Sequence, residues 1–159
     1  PEFATPICAA ARRRGLPVVL DVEKRISAAD PLWLATTHRI FSRSGLAAAS
    51  TSEDLAEALG GFDGSDGAFL AVTDGARPVH WRSGNGGGQI QAFAVHAVDT
   101  LGAGDVFHGA FAFALVEMGD AVRALRFAAA TAALKCTRFG GGAATPTRAE
   151  VDRFLLENA

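Results

Sequence analysis

With 159 residues, 49% of them hydrophobic and 20% charged, the chain has the balance of a soluble globular protein and the length for one domain with a proper core. Its formal net charge of −2 gives no electrostatic ground for a nucleic-acid or anionic-membrane partner, and no run is apolar and long enough to span a bilayer. Cys8 and Cys136 show neither metal-ligand nor redox spacing, and no signal peptide is evident, so a reducing cytoplasm is the expected compartment.

In chain order, a helix carrying the basic run Arg12, Arg13 and Arg14 leads into a strand over 17–22. That run reads as a solvated helix face. A second strand is expected around 32–36 and a short helical stretch around 38–43. Ser50 and Glu53 have the spacing of a capping box for a helix over 51–59, in which Leu55, Ala58 and Leu59 recur at helical period. After the loop GFDGSDG comes a strand over 68–73, then antiparallel strands around 79–82 and 89–95 joined by the flexible SGNGGG. A helix over 104–118 is apolar all round and should be buried centrally. A helix over about 120–137 follows, and Thr147 with Glu150 forms a second capping box for a helix over 147–157. The alternation of strands and helices predicts a three-layer α/β/α arrangement with a largely parallel sheet, and no composition shift marks an internal boundary.

The segment DTLGAGD at 99–105 carries the chemistry. Gly102 and Gly104 flank Ala103 where the apolar helix begins, so the amides of Gly102, Ala103 and Gly104 can crowd toward one anion without side chains intervening. Asp105 would repel a bound phosphate, and a carboxylate beside an anion hole is better explained as a base. Together these residues point to phosphoryl transfer to a hydroxyl. The bland alternative is a glycine-rich turn that only permits close packing; a dinucleotide fingerprint would need glycine at 107, where Phe107 stands.

The segment resembles the C-terminal signature of the ribokinase-like sugar kinases, the phosphofructokinase B group, which has the form D-T-x-G-A-G-D-x-F-x-G-A. Asp99, Thr100, Gly102, Ala103, Gly104, Asp105, Phe107, Gly109 and Ala110 match it. PVVLDVEKR at 17–25, VTDG at 72–75 and the closing ALKCTRFGGGAATPTRAEVDRFL resemble further family segments in the right order. The resemblance implies a ribokinase-like fold of which 1–159 is the C-terminal nucleotide-binding and catalytic part, with the N-terminal sugar-binding part absent. It implies transfer of the γ-phosphoryl of ATP to a hydroxyl of a small sugar or sugar-like alcohol, with Asp105 as base and the Gly102, Ala103 and Gly104 amides as anion hole. The chain by itself is expected to be inactive, and the alternative is a catalytically silent nucleotide-binding or scaffolding fragment. Sugar and ATP are the expected partners, with a homodimer allowed.

Other roles follow from the same resemblance. Thr73 and Gly75 would approach the nucleotide, and Gly140, Gly141 and Ala132 would lie beside the adenine; the bland readings are a plain turn and a helix cap. Asp99 would hold a monovalent cation, K+, under the anion hole, and Asp21 would reach Mg2+ indirectly. Asp21, Glu23 and Arg25 alternate along an extended segment and otherwise read as an ion-pair cluster at a sheet edge. Some positions depart from the family pattern. Pro78 stands where a second glycine is usual, and Ala129 cannot make the hydrogen bond of a family Asn or His. The N-x-x-E pattern that many members use to organise Mg2+-bound water would match Ala35 and His38, neither of them a carboxylate. His38 and His108 read as packing residues.

Overall fold

The computed structural model describes residues 3–62, 66–84 and 86–159. Two compact units divide the chain, one up to Gly75 together with Val79–Gln89, the other Ala76–Pro78 with Ile90–Ala159.

The first unit is built on a sheet whose strands lie side by side in chain order. Helix α1 (Ala4–Arg13) turns at Gly15 into β1 (Val19–Val22), which pairs in parallel with β2 (His38–Ser42). In turn β2 pairs in parallel with β3 (Phe69–Thr73), and β3 pairs antiparallel with β4 (Val79–Ser83). Val22, Phe41, Leu70 and Val72 from the strands meet Trp33, Leu46, Ala58 and Leu59 from the short helices in one buried cluster. Burial on this scale, at about 25 cal/mol per Å² of apolar surface, is what holds short helices that could not stand alone.

The second strand and the short helix exchange places relative to the sequence expectation. Residues Pro31–Ala35 form helix α2, because the Asp30 carboxylate accepts from the Leu32 N–H at 2.8 Å and Pro31 presets the first helical φ. Residues His38–Ser42, expected to be helical, form β2, whose three central residues are all buried. Arg39 disguised this strand: a charged residue argues for a solvent face, yet it is 1% exposed. Its guanidinium is satisfied by Asp66 at 2.5 Å, the Trp33 carbonyl at 2.8 Å and the Thr36 hydroxyl at 2.9 Å, and lies 4.0 Å over the Trp33 ring. Those partners are supplied by tertiary structure.

Helix α3 (Arg43–Ala47) follows β2 directly, with the Ser42 hydroxyl accepting from the Gly45 N–H. It packs so close to β1 that a Cβ on Gly45 would fall on the Val22 carbonyl oxygen. Helix α4 (Leu55–Gly60) starts later than the Ser50 and Glu53 spacing predicts: Asp54 is the N-cap and accepts from the Glu57 N–H at 2.8 Å. Asp54 wins because Glu57 at N3 reaches back to the Ser52 hydroxyl, stabilising the later start. Residues 63–65 of the expected loop and Asn85 of the hairpin turn lie outside the described residues.

Strand β5 is Gly86–Ile90, so the glycines assigned to the hairpin loop are themselves extended, and 91–97 has no regular structure. A Cβ on Gly88 would come within 3.2 Å of the Trp81 ring, which explains why bare backbone runs there.

In the second unit, α5 (Ala103–Met118) and α6 (Ala121–Cys136) form an antiparallel pair joined at Gly119, followed by a 3-10 turn (Gly141–Ala144) and α7 (Arg148–Glu157). The segment between β5 and α5 crosses α6 and α7, where Phe93 packs on Phe154 with ring centroids 5.2 Å apart. Helix α5 is not buried all round as its composition suggests. Phe107, Phe111, Ala114 and Leu115 are buried, while Phe113 is 48% and Val116 72% exposed. Thr147 and Glu150 form the expected capping box on α7. Among the described residues no helix is long and apolar enough to cross a membrane.

Candidate active site

The 99–105 segment enters α5 through a left-handed residue. Gly102 has φ +74° and is the N-cap, a conformation that costs any residue with a Cβ. The Ala103 N–H donates to the Thr100 carbonyl at 3.1 Å, which closes the turn. Of the three expected anion-hole amides, Ala103 is therefore already engaged. The N–H groups of Gly104 and Asp105 belong to the first helical turn, whose amides have no intrahelical acceptor, and they stand at the positive end of a 16-residue helix.

Asp105 is exposed and borders an open cleft of about 440 Å³ whose walls include Gly109, Phe113, Phe127 and Thr131. Arg148 lies at its edge, its guanidinium held 2.9 Å from Asp152, hydrogen-bonded to Glu117 and 5.3 Å over the Phe127 ring. Asp105 lies near Gly102: a Cβ there would be 4.0 Å from the Asp105 Oδ2 and 3.7 Å from the Gly142 nitrogen. The His108 ring donates from Nδ1 to the Gly104 carbonyl at 2.8 Å, which supports the turn from inside the helix.

Beneath this turn, Asp99 ties three segments together. Its Oδ1 accepts from the Leu101 N–H at 2.9 Å, and its Oδ2 accepts from the Gly140 and Gly141 N–H groups at 3.1 Å each. The Lys135 ammonium donates to the Asp99 main-chain carbonyl at 2.9 Å and lies 3.5 Å from Oδ2. The Leu101 amide first, then those of Gly141 and Gly140, with the Lys135 charge in support, hold the Asp99 carboxyl down at about 2. These residues do not fit a further monovalent cation at Asp99. Both carboxylate oxygens already accept N–H bonds, its carbonyl already binds an ammonium, and a second positive charge would meet Lys135 at close range.

The structure thus brings Asp99, Gly102, Asp105, Gly140 and Gly141 together in the second unit, with Ala132 half-buried one turn before the end of α6. In the first unit, Thr73 ends β3 and donates its hydroxyl to the Phe41 carbonyl at 3.3 Å, and Gly75 has φ +59° in the following turn. Asp21 is exposed on β1, in register with Ile40. Thr73 and Asp21 both sit toward the carboxyl ends of parallel strands, where open α/β sheets bind ligands. The segment after the second strand is Ser42–Gly45 rather than the Ala35 and His38 region, and it likewise offers no carboxylate. Ala35 is buried in α2, and His38 opens β2 with its Nδ1 2.9 Å from the Thr37 hydroxyl. Among the described residues no three His, Cys, Asp or Glu side chains cluster to hold a metal ion.

Lys135 was not singled out by sequence reasoning. Its signal was available: one lysine in the apolar run AATAALKC at a helix end, where an amphipathic pattern has no place for it.

This chain belongs to the pfkB family of carbohydrate kinases, whose model matches residues 7–148. A ribokinase from Bacillus subtilis is 44% identical over 88 residues, which cover 55% of this chain and 30% of that protein. Of solved structures, one from Agrobacterium tumefaciens assigned as a ribokinase superposes with a TM-score of 0.88 at 33% identity, over 99% of this chain and 53% of that one. The ribokinase of Arabidopsis thaliana complexed with ribose and ATP superposes with a TM-score of 0.84 at 26% identity, over 96% of this chain and 52% of its own. The fold is accordingly the ribokinase-like three-layer α/β/α type with a largely parallel sheet. The chain spans about half the length of these structures, and less of the Bacillus relative.

Proposed function

We propose that the protein carrying this chain transfers the γ-phosphoryl group of ATP to a hydroxyl of a small sugar or sugar-like alcohol. The observation that carries the reading is the left-handed Gly102 turn, which opens α5 with the Gly104 and Asp105 amides uncommitted beside the exposed Asp105 carboxylate. Membership of the pfkB family and the ATP-bound Arabidopsis neighbour support it.

In this reading Asp105 accepts the proton of the acceptor hydroxyl as that oxygen forms its bond to the γ-phosphorus. The bond from phosphorus to the β,γ-bridging oxygen breaks, and ADP leaves. The Gly102 and Gly104 amides, joined by that of Asp105, stabilise charge on the transferring phosphoryl oxygens; Ala103 contributes by closing the turn. Gly140, Gly141 and Ala132 flank the adenine. For Thr73, Gly75 and Asp21 the proposal is what the resemblance implies: the first two approach the nucleotide, and Asp21 acts through water on Mg2+. That metal, when bound, would neutralise phosphate charge; among the described residues no cluster of His, Cys, Asp or Glu side chains would hold it by itself.

The test is Asp105→Asn in the full-length protein, assayed by ADP release with a panel of pentoses and hexoses. ATP affinity should stay within a few-fold while turnover falls by about 10²–10⁴-fold, the usual value of a general base. Turnover within about threefold of the parent removes Asp105 from the role.

A further inference from the structure

The buried ammonium of Lys135 has no part in the scheme above, although it sits directly beneath the turn that would hold phosphate. It projects from the last turn of α6 and is 0% exposed. A buried lysine is tolerated only where oxygen ligands replace its water. Here these are the Asp99 carbonyl at 2.9 Å and the Asp99 Oδ2 at 3.5 Å. The site also lies at the negative end of the α6 dipole, which favours a cation. The backbone locks the same place a second time: the Val98 and Asp99 N–H groups donate to the Cys136 carbonyl at 2.8 and 3.2 Å. Through Asp99 the charge reaches the Leu101 amide just before Gly102, and the Gly140 and Gly141 amides on the opposite loop.

We propose that Lys135 is a positioning residue, a cation tethered to the chain that holds the anion-hole turn against the glycine loop and makes both independent of a free monovalent cation. A carbonyl and a carboxylate oxygen are what a K+ ion would take at this spot, and an ammonium group is close to K+ in size and equal in charge. The tether supplies the charge at no cost in ion concentration. Substrate is never touched by Lys135, which acts through Asp99.

The inference rests on the phosphate-binding reading of the turn, so its test uses two readouts, one of which needs no nucleotide. The full-length protein, Lys135→Ala and the near-isosteric Lys135→Met are melted in KCl, NaCl and tetramethylammonium chloride at equal ionic strength. The affinity of each for a non-hydrolysable ATP analogue is measured in the same salts. The parent should melt at one temperature and bind with one affinity, within about twofold, in all three. Lys135→Ala should lose about tenfold in affinity in tetramethylammonium chloride and regain both affinity and melting temperature in KCl, because K+ can enter the vacated space. Lys135→Met, which fills that space, should lose affinity without rescue. A parent whose melting temperature or affinity rises specifically with K+ overturns the proposal, as does a folded Lys135→Ala indifferent to the salt. If both variants fail to fold, the parent's response to K+ decides alone. A parent that binds no nucleotide in any salt defeats the phosphate reading instead, and the melting temperatures still judge Lys135.

Discussion

At the scale of single residues, the two glycines of the turn do different work. Gly102 is required by its backbone, since φ +74° strains any residue with a Cβ by about 1–2 kcal/mol. Gly104 has ordinary helical φ, and a Cβ there would meet no atom within 4 Å. Packing does not explain its smallness, and the proposed phosphate site would account for it. Gly104→Val should therefore leave the melting temperature within a few degrees of the parent and weaken ATP-analogue binding by at least tenfold, whereas Gly102→Ala should lose stability and binding together. A Gly104→Val protein that binds the nucleotide normally would show that the anion hole lies elsewhere.

Capping chemistry decides most boundaries at the scale of elements, and it is legible in sequence only where the partners are local. The α7 box is such a case: the Thr147 N–H donates to Glu150 at 2.7 Å and the Thr147 hydroxyl accepts from the Glu150 N–H. Thr147→Ala should cost about 1 kcal/mol, or roughly 2–4 °C in melting temperature for a chain of this size, and Thr147→Ser should restore most of it. A loss below about 0.3 kcal/mol would mean that α7 is held by packing alone. Helices α2 and α4 show the limit of the same rule. Both begin at an aspartate, Asp30 and Asp54, but several Ser, Thr and Asp residues nearby compete for the role, and spacing by itself selects Ser50 wrongly. For α2 and β2 the deciding fact is the burial of Arg39, which no local pattern announces.

At the scale of the whole molecule, acid should destabilise the fold in two stages. Burial lowers His38 from 6.5 to about 4, so between these values the unfolded chain takes up a proton that the folded chain refuses. Stability is complete above about pH 6.5 and falls as pH drops toward 4. Asp99, held at about 2 by its amide donors, and Glu150, held at about 2 first by Arg138 and then by Thr147, add stability that is present above their ordinary values of 3.8 and 4.5. That contribution is lost as pH falls toward 2. Melting temperatures measured from pH 7 to pH 3 should decline throughout, and His38→Gln should flatten the decline between 6.5 and 4 while leaving the lower stage intact. An unchanged slope in His38→Gln would show that His38 is protonated in the folded state.

The sequence by itself determined the family, the parallel strands around 19–22 and 69–73, the long helices and the 99–105 turn. Each rests on interactions within a few residues: alternation, helical period, a glycine at positive φ beside a helix start. Tertiary structure alone decided that His38–Ser42 is a strand, because Arg39 becomes compatible with burial only when Asp66 and Trp33 arrive from elsewhere in the chain. It decided that Gly86–Gly88 is extended, where a Cβ on Gly88 would meet the Trp81 ring and one on Gly87 the Trp81 carbonyl oxygen on the adjacent strand. It also decided what lies under the 99–105 turn. Asp99 and Lys135 are 36 residues apart, and no periodicity or motif spacing couples them. Only the packing of the 98–99 segment onto the end of α6 carries the ammonium to the carbonyl, where a buried charge must find its partner.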